Sequence, residues 1–121
     1  MGFLDQKMHE YMLRAHDNFD PPVTLATNRG EISVHTHRYR SSFRTLVGET
    51  TGSETVYVAN CVESLDGANF VELKVTDVPK GVKAVRYFKY REISQKFELI
   101  GEVTQAPWVL NDTGLASRAE Y

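Results

Sequence analysis

Two histidines one residue apart, His35 and His37, are followed by Arg38, Tyr39, Arg40 and, three positions on, Phe43 and Arg44. The stretch from His35 to Arg44 carries no carboxylate. Guanidinium forks pair with phosphate or carboxylate oxygens, and aromatic rings stack on bases or on the arginines of a partner, so these residue types suit an anionic ligand or a protein surface. Protein contact is the first expectation here, ahead of plain solvent exposure and of an anionic ligand. Residues two apart on a strand point the same way, so His35 and His37 could also share a metal ion with Glu31. Cupin-type enzymes use such a His-x-His strand, but their pattern places a glutamate about four residues after the second histidine. Here that stretch reads Arg38, Tyr39, Arg40, Ser41, Ser42. Three arginines beside a cation site would also raise its electrostatic cost. A metal-dependent enzyme is therefore the third reading, and no cofactor is expected.

A second basic segment runs from Lys80 to Arg91 and sets Tyr87, Phe88 and Tyr90 among Lys80, Lys83, Arg86, Lys89 and Arg91. Its composition suits nucleic acid, but a regular strand would split it. Arg86 would share a face with Phe88 and Tyr90, and Lys83, Lys89 and Arg91 would share the other with Val85 and Tyr87. Cross-strand pairing with Glu98 and Glu102 accounts for those charges if the next strand forms a hairpin with this one. The candidate contact residues are accordingly Arg38, Tyr39, Arg40, Arg44, Lys83, Arg86, Tyr87, Lys89 and Arg91.

The two segments hold eight of the fourteen basic residues, which leaves six bases against sixteen acids elsewhere. A formal net charge of −2 thus conceals a dipolar chain. The stretch from Thr45 to Val78 has six acids and one base, Lys74, and is the natural complement of the basic segments. Glu49, Glu54, Glu63, Asp66, Glu72 and Asp77 fall near turns or on outward positions, where solvation is the default. No Gly-rich phosphate loop, Gly-x-Ser-x-Gly elbow or His-Glu-x-x-His helix is present. His9 and His16 lie about two helical turns apart, too far to share one ion. Cys61 is the single cysteine, so no internal disulfide is available and a buried thiol is expected.

The elements that must position these residues can be read from periodicity. Leu4, Met8, Tyr11, Met12, Ala15 and Phe19 fall on one stripe of a helix over residues 3–19, which Asp20-Pro21-Pro22 ends. From Val23 the period becomes two. Ile32, Val34 and Thr36 should share a face, as should Val56, Val58, Asn60 and Val62, with Cys61 opposite, and likewise Phe97, Leu99 and Val103. Continuing the first row would place Arg38 and Arg40 with Ile32 and Val34, which a core tolerates only if the strand bulges or outruns its sheet. Connections are expected at residues 50–53, at Asp66-Gly67, at Pro79-Lys80-Gly81 and at residues 92–95.

At 121 residues the chain fits one domain, residues 1–121: a helix over 3–19, a β-rich body over 23–103 and a polar tail over 104–121 that should be mobile in an isolated monomer. The expected fold is mainly β, with α+β as the variant. The amino-terminal helix precedes about six or seven antiparallel strands joined by sequential hairpins, in a sandwich, small barrel or curved sheet. Apolar runs of four or five residues are too short to span a bilayer, and no basic-then-apolar leader is visible, so a soluble intracellular or virion protein is expected. These features together predict a non-enzymatic assembly protein. It would self-associate or dock on a larger complex through its acidic and basic surfaces, for example as a phage capsid-decorating or head-to-tail component. A nucleic-acid or phosphorylated-ligand module is the second reading, and no membrane partner is expected.

Overall fold

A computed structural model describes Phe19, Val23–Ala26 and residues 35–118. Apart from Phe19, the expected helix lies outside the described residues. Phe19 itself forms a β-bridge with Val75, and its ring packs 5.7 Å from that of Tyr87. The protein is mainly β, as expected, and its sheet curls into half a barrel. No described helix is long and apolar enough to cross a membrane.

The strands are β1 (Val23–Ala26), β2 (His35–Thr45), β3 (Gly48–Glu49), β4 (Val56–Cys61), β5 (Asn69–Leu73), β6 (Val82–Arg91), β7 (Lys96–Val103) and β8 (Leu110–Asp112). The four expected connections all fall between strands. Their order, however, is not a chain of hairpins. β5 sits between β1 and β8 in one sheet, while β2 pairs with β6 on one side and with both β3 and β4 on the other. Among the described strands only β2–β3 and β6–β7 are neighbours in both sequence and sheet. The reason is length: β2 has eleven residues, enough to carry two short strands along one edge. Between them the Thr50 and Ser53 hydroxyls accept from the Phe43 and Ser41 amides at 2.9 and 3.0 Å, so the edge of β2 stays satisfied across the gap.

Besides a register shift where β2 meets the start of β6, two bulges decide which side chains face inward. β4 carries one extra residue against His35 and His37, at the point where Asn60 adopts φ 60°. Asparagine tolerates that left-handed conformation better than most residues. The expected alternation breaks there, and Cys61 turns into the core alongside Val58, at 1% and 7% exposure. β7 carries the other bulge: Tyr87 pairs with Gly101 and Phe88 with Leu99, which leaves Ile100 unpaired. Phe97 therefore lies opposite Tyr90 and not on the side of Val103, contrary to the simple alternation.

β2 also departs from the extrapolated row. His37, Tyr39, Ser41, Phe43 and Thr45 are buried, while Thr36, Arg40 and Arg44 are exposed, so the odd-numbered row faces the core and the arginines face out. The two sheets close on Tyr39, Phe43, Val71, Leu73, Val85 and Tyr87, all fully buried. Each large side chain of this kind stabilises the fold by roughly 1.5–3 kcal/mol.

The segment expected to be a mobile tail is part of this core. β8 pairs with β5 through Leu110↔Leu73, Glu72↔Asn111 and Val71↔Asp112, and the Arg118 amide donates to the Leu99 carbonyl at 2.6 Å. Gly101 lets β8 approach β7, since a Cβ there would meet Leu110 Cδ2 at 2.6 Å. Gly114, at φ 92°, would bring a Cβ within 2.6 Å of the Leu65 carbonyl oxygen. A strand of three residues is too short to show a period, which is why the sequence reads as tail.

Candidate functional site

The two basic segments are adjacent strands. β2 and β6 pair antiparallel from Tyr39↔Lys89 to Thr45↔Val82, placing Arg40 opposite Phe88, Ser42 opposite Arg86 and Arg44 opposite Ala84. Strand alternation then sorts the expected contact residues by face. Arg38, Arg40, Arg44 and Arg86 stand on the outer face; Tyr39, Tyr87, Lys89 and Arg91 belong to the inner row. Lys83 is exposed near the start of β6 and joins neither group.

One half of the outer face is internally neutralised. Glu102 accepts from Arg44 Nε at 2.8 Å and lies 3.4 Å from Arg86 Nε, while Glu49 accepts from Arg86 Nη1 at 3.1 Å and from the Ser42 hydroxyl. The expected pairing with Glu102 is thus present. The Arg44–Glu102 pair is solvent-exposed at the arginine and contributes about 0–1 kcal/mol, whereas the Arg86 side chain is largely buried; together these contacts cancel the charge of both arginines.

The other half is not neutralised. Arg38 Cζ lies 4.8 Å from the Tyr90 ring centre and 5.9 Å from that of Tyr57, and Arg40 Cζ lies 4.3 Å from that of Phe97. Tyr90 and Phe97 meet edge to face at 5.4 Å. Among the described residues neither arginine has a carboxylate within ion-pair distance; Arg40 Nε donates to the Thr55 hydroxyl at 3.0 Å. Tyr57 is 63% exposed. The result is a patch of two stacked, uncompensated guanidiniums with three rings on one open sheet face.

Tyr39 and Tyr87 are not contact residues. Both are fully buried; Tyr39 Oη donates to Asp112 Oδ2 at 2.6 Å, and Tyr87 Oη donates to the Trp108 carbonyl. Lys89, expected opposite Glu98, does face Glu98 in register, but its ammonium donates to Asp112 Oδ2 at 2.8 Å. Asp112 is fully buried, and its other oxygen accepts from the Gly114 and Leu115 amides at 3.1 and 3.0 Å. Burial alone would raise the Asp112 carboxyl, but the hydrogen bonds from Lys89 and Tyr39, the charge of Lys89 and the Leu115 amide outweigh it and hold the group below its ordinary value. Burial, together with the charge and hydrogen bond of Asp112, pushes the Tyr39 hydroxyl far above its ordinary range, so it remains a donor. Arg91 donates to the Ser117 hydroxyl and the Leu115 carbonyl at 2.9 and 2.7 Å, holding the carboxy-terminal segment. Hydrogen bonds from Ser117 and then Ser94 keep Glu98 ionised below its usual range.

His35 and His37 lie side by side, with ring centres 4.7 Å apart, and His37 Nε2 donates to the Val62 carbonyl at 3.0 Å. Among the described residues no three metal-ligating side chains converge. Burial lowers the His37 pKa from 6.5, opposed by the Val62 hydrogen bond and reinforced by the charges of Lys89 and His35. A depressed histidine favours the neutral form in the fold, so stability is fully present above 6.5. It falls as pH drops through the interval below that value, where only the unfolded chain takes up the proton. The urea midpoint should therefore decrease between about pH 7.5 and pH 5.5, and His37→Gln should flatten that slope. An unchanged slope in the variant would assign the dependence elsewhere.

Sequence reasoning missed three parts of this arrangement: Tyr57, Phe97 and Asp112. Phe97 was within reach, because the turn at residues 92–95 puts it opposite Tyr90. Asp112 left no local signal except the Asp-Thr-Gly turn that follows it. Comparison of the chain with known protein families, curated sequences and solved structures found no match.

Proposed function

We propose that this chain is a non-enzymatic assembly module that self-associates through the outer face of its five-stranded sheet. The observation that carries the proposal is the patch of Arg38 and Arg40 stacked on Tyr90, Tyr57 and Phe97 without a carboxylate partner among the described residues. Arginine and tyrosine are the residue types that dominate protein interfaces, and stacking holds each guanidinium in place before a partner arrives. The complementary charge is carried by the same molecule. Glu54 and Glu63 are exposed on the β3–β4 and β4–β5 connections, in a stretch with six acids and one base. A contact between the arginine patch of one copy and these acids of the next would be head-to-tail, the kind that generates rings, tubes or shells, and a virion shell or connector is the form we propose.

A nucleic-acid reading draws on the same stack, because rings and arginines on one open face can hold single-stranded bases. It ranks second because the chain is acidic overall, with a pI of about 6.1, and two of the four arginines of this face, Arg44 and Arg86, are already paired with acids. Light-scattering mass measured across protein and salt concentration, with and without a mixed-sequence oligonucleotide, separates the two. The protein alone should gain mass with concentration and lose it as salt rises. Arg38→Gln/Arg40→Gln should weaken association at least tenfold, as expected for about 1–2 kcal/mol per central arginine. A monomer at every salt concentration would overturn the proposal, and mass gained only with oligonucleotide would select the second reading.

A further inference from the structure

The inner face of the curled sheet changes character along its length. At one end it carries Phe43, Val85 and Tyr87, all fully buried; towards the other, the same rows of β2 and β6 continue as His37, His35, Lys89 and Arg91. A cleft of about 480 Å³ opens there, lined by these four residues together with Arg38 and Tyr90 and by three carboxylates, Glu63, Glu92 and Glu98. The mouth of a closed or half-closed β-barrel is a common place for a small ligand, and the volume falls within the range of such sites.

The donors around this cleft outnumber the protein acceptors they meet. An ammonium has three N–H groups. Lys89 is 7% exposed, and its ammonium, among the described residues, donates only to Asp112, leaving two N–H groups without a protein acceptor. Arg91 uses its Nε and one Nη2 hydrogen on Ser117 and Leu115, and no carboxylate lies within ion-pair distance of it among the described residues. The ring nitrogens of His35 have no hydrogen-bond partner among the described residues. Glu98, the acid nearest in register, is engaged by the Ser117 and Ser94 hydroxyls. Asp112 balances Lys89, and His37 spends its N–H on Val62, so the donors left unmet are those of Lys89, Arg91 and His35. None of them hydrogen-bonds Glu63 or Glu92 among the described residues, and in a partly desolvated site charge-assisted hydrogen bonds are strongest.

We propose that this mouth binds the oxyanion of a small molecule, a carboxylate or a phosphate, between Lys89, Arg91 and His35, with the His37 ring as its neighbour. The oxyanion accepts from the free Lys89 and Arg91 donors, and His35 contributes an N–H from the rim. The donors of this site lie on the opposite face of the two strands that carry the outer patch; Arg38 and Tyr90 border both, whereas Arg40, Tyr57 and Phe97 belong to the outer patch alone. The site stands or falls independently of the assembly reading.

The test is titration of the full chain with inorganic phosphate and, separately, with acetate, followed by NMR of the histidine rings and of the backbone amides at constant ionic strength. Saturable shifts at His35, His37 and Lys89 are expected. The His37 pKa should move upward in the bound form, because an anion beside the ring favours imidazolium against the opposing charge of Lys89 and the support of Asp112. His35→Ala, which removes a half-buried ring without touching Asp112, should weaken binding roughly tenfold, the size of one charged hydrogen bond. Arg40→Gln on the other face should leave binding unchanged. Saturation by phosphate alone assigns a phosphate ligand, and saturation by acetate assigns a carboxylate. Shifts that do not saturate with either probe, or that centre on Arg40, Tyr57 and Phe97, would overturn the proposal.

Discussion

Asp112→Ala is expected to destabilise the fold by about 3–5 kcal/mol, the cost of removing one member of a buried ion pair. The carboxylate accepts four hydrogen bonds, from Tyr39, Lys89, Gly114 and Leu115, and neither of its side-chain donors can reach water freely. Alanine would leave the fully buried Tyr39 hydroxyl without an acceptor and the largely buried Lys89 ammonium, at the inner end of the cleft, without its counter-charge. A domain of this size is stable by about 5–15 kcal/mol, so one substitution would remove a large share of the total. The expected readout is a marked fall in the denaturant midpoint at neutral pH. Lys89→Met/Asp112→Leu should recover much of the loss, because it removes both charges and retains volume. A single variant within about 1 kcal/mol of the parent would mean that water reaches Lys89 and that the triad is peripheral.

The legible part of this protein was its chemistry, and the illegible part was its pairing. Eight basic residues in two acid-free segments are visible in the sequence, and the structure sets those segments side by side as β2 and β6. No local rule predicts that neighbour, since β3, β4 and β5 intervene and each is short. The turn residues marked the connections correctly because glycine, proline and aspartate act within three or four positions. Cys61 is buried, as expected, but face assignment failed where a bulge intervened: the extra residue near Asn60 put Cys61 on the same side as Val58, and the unpaired Ile100 separated Phe97 from Val103. Each bulge shifts a period-2 pattern by one, which inverts every later expectation on that strand. The same step placed Phe97 beside Tyr90 and so built the patch that holds Arg40.

Charge sorting also has a different meaning in three dimensions. Arg44 and Arg86 meet acids on their own face, and Lys89 meets one across the core, so three of the eight bases are spent within the molecule. What remains outward is a small patch made specific by its rings, and what remains inward is a mouth rich in donors. A sheet curled into half a barrel gives the two faces of one strand pair different environments, and so a single basic segment can supply two sites.

Deleting residues 107–121 should abolish cooperative folding, a larger effect than any single substitution considered above. The deletion removes Asp112 and with it the acceptor for Tyr39 and Lys89, but it also strips the third strand from the smaller sheet. Trp108, Leu110 and Leu115, which pack against the core, go as well. These side chains are partly buried, so each contributes less than the roughly 1.5–3 kcal/mol of full burial, but together with the ion-pair loss the sum is comparable to the stability of an ordinary domain. The chain would then expose Val71 and Leu73 along an unpaired edge of β5, an invitation to aggregate. The measurement is a urea titration followed by near-ultraviolet circular dichroism, in which the truncated chain should show a broad, featureless transition. Adding a peptide of residues 107–121 in trans should restore part of the signal, because β8 docks by main-chain pairing and one buried carboxylate. A sharp transition at the parent midpoint would instead make the segment a true tail. It would also place the acceptor for Lys89 outside β8, and the donor excess at the mouth would then need a different origin.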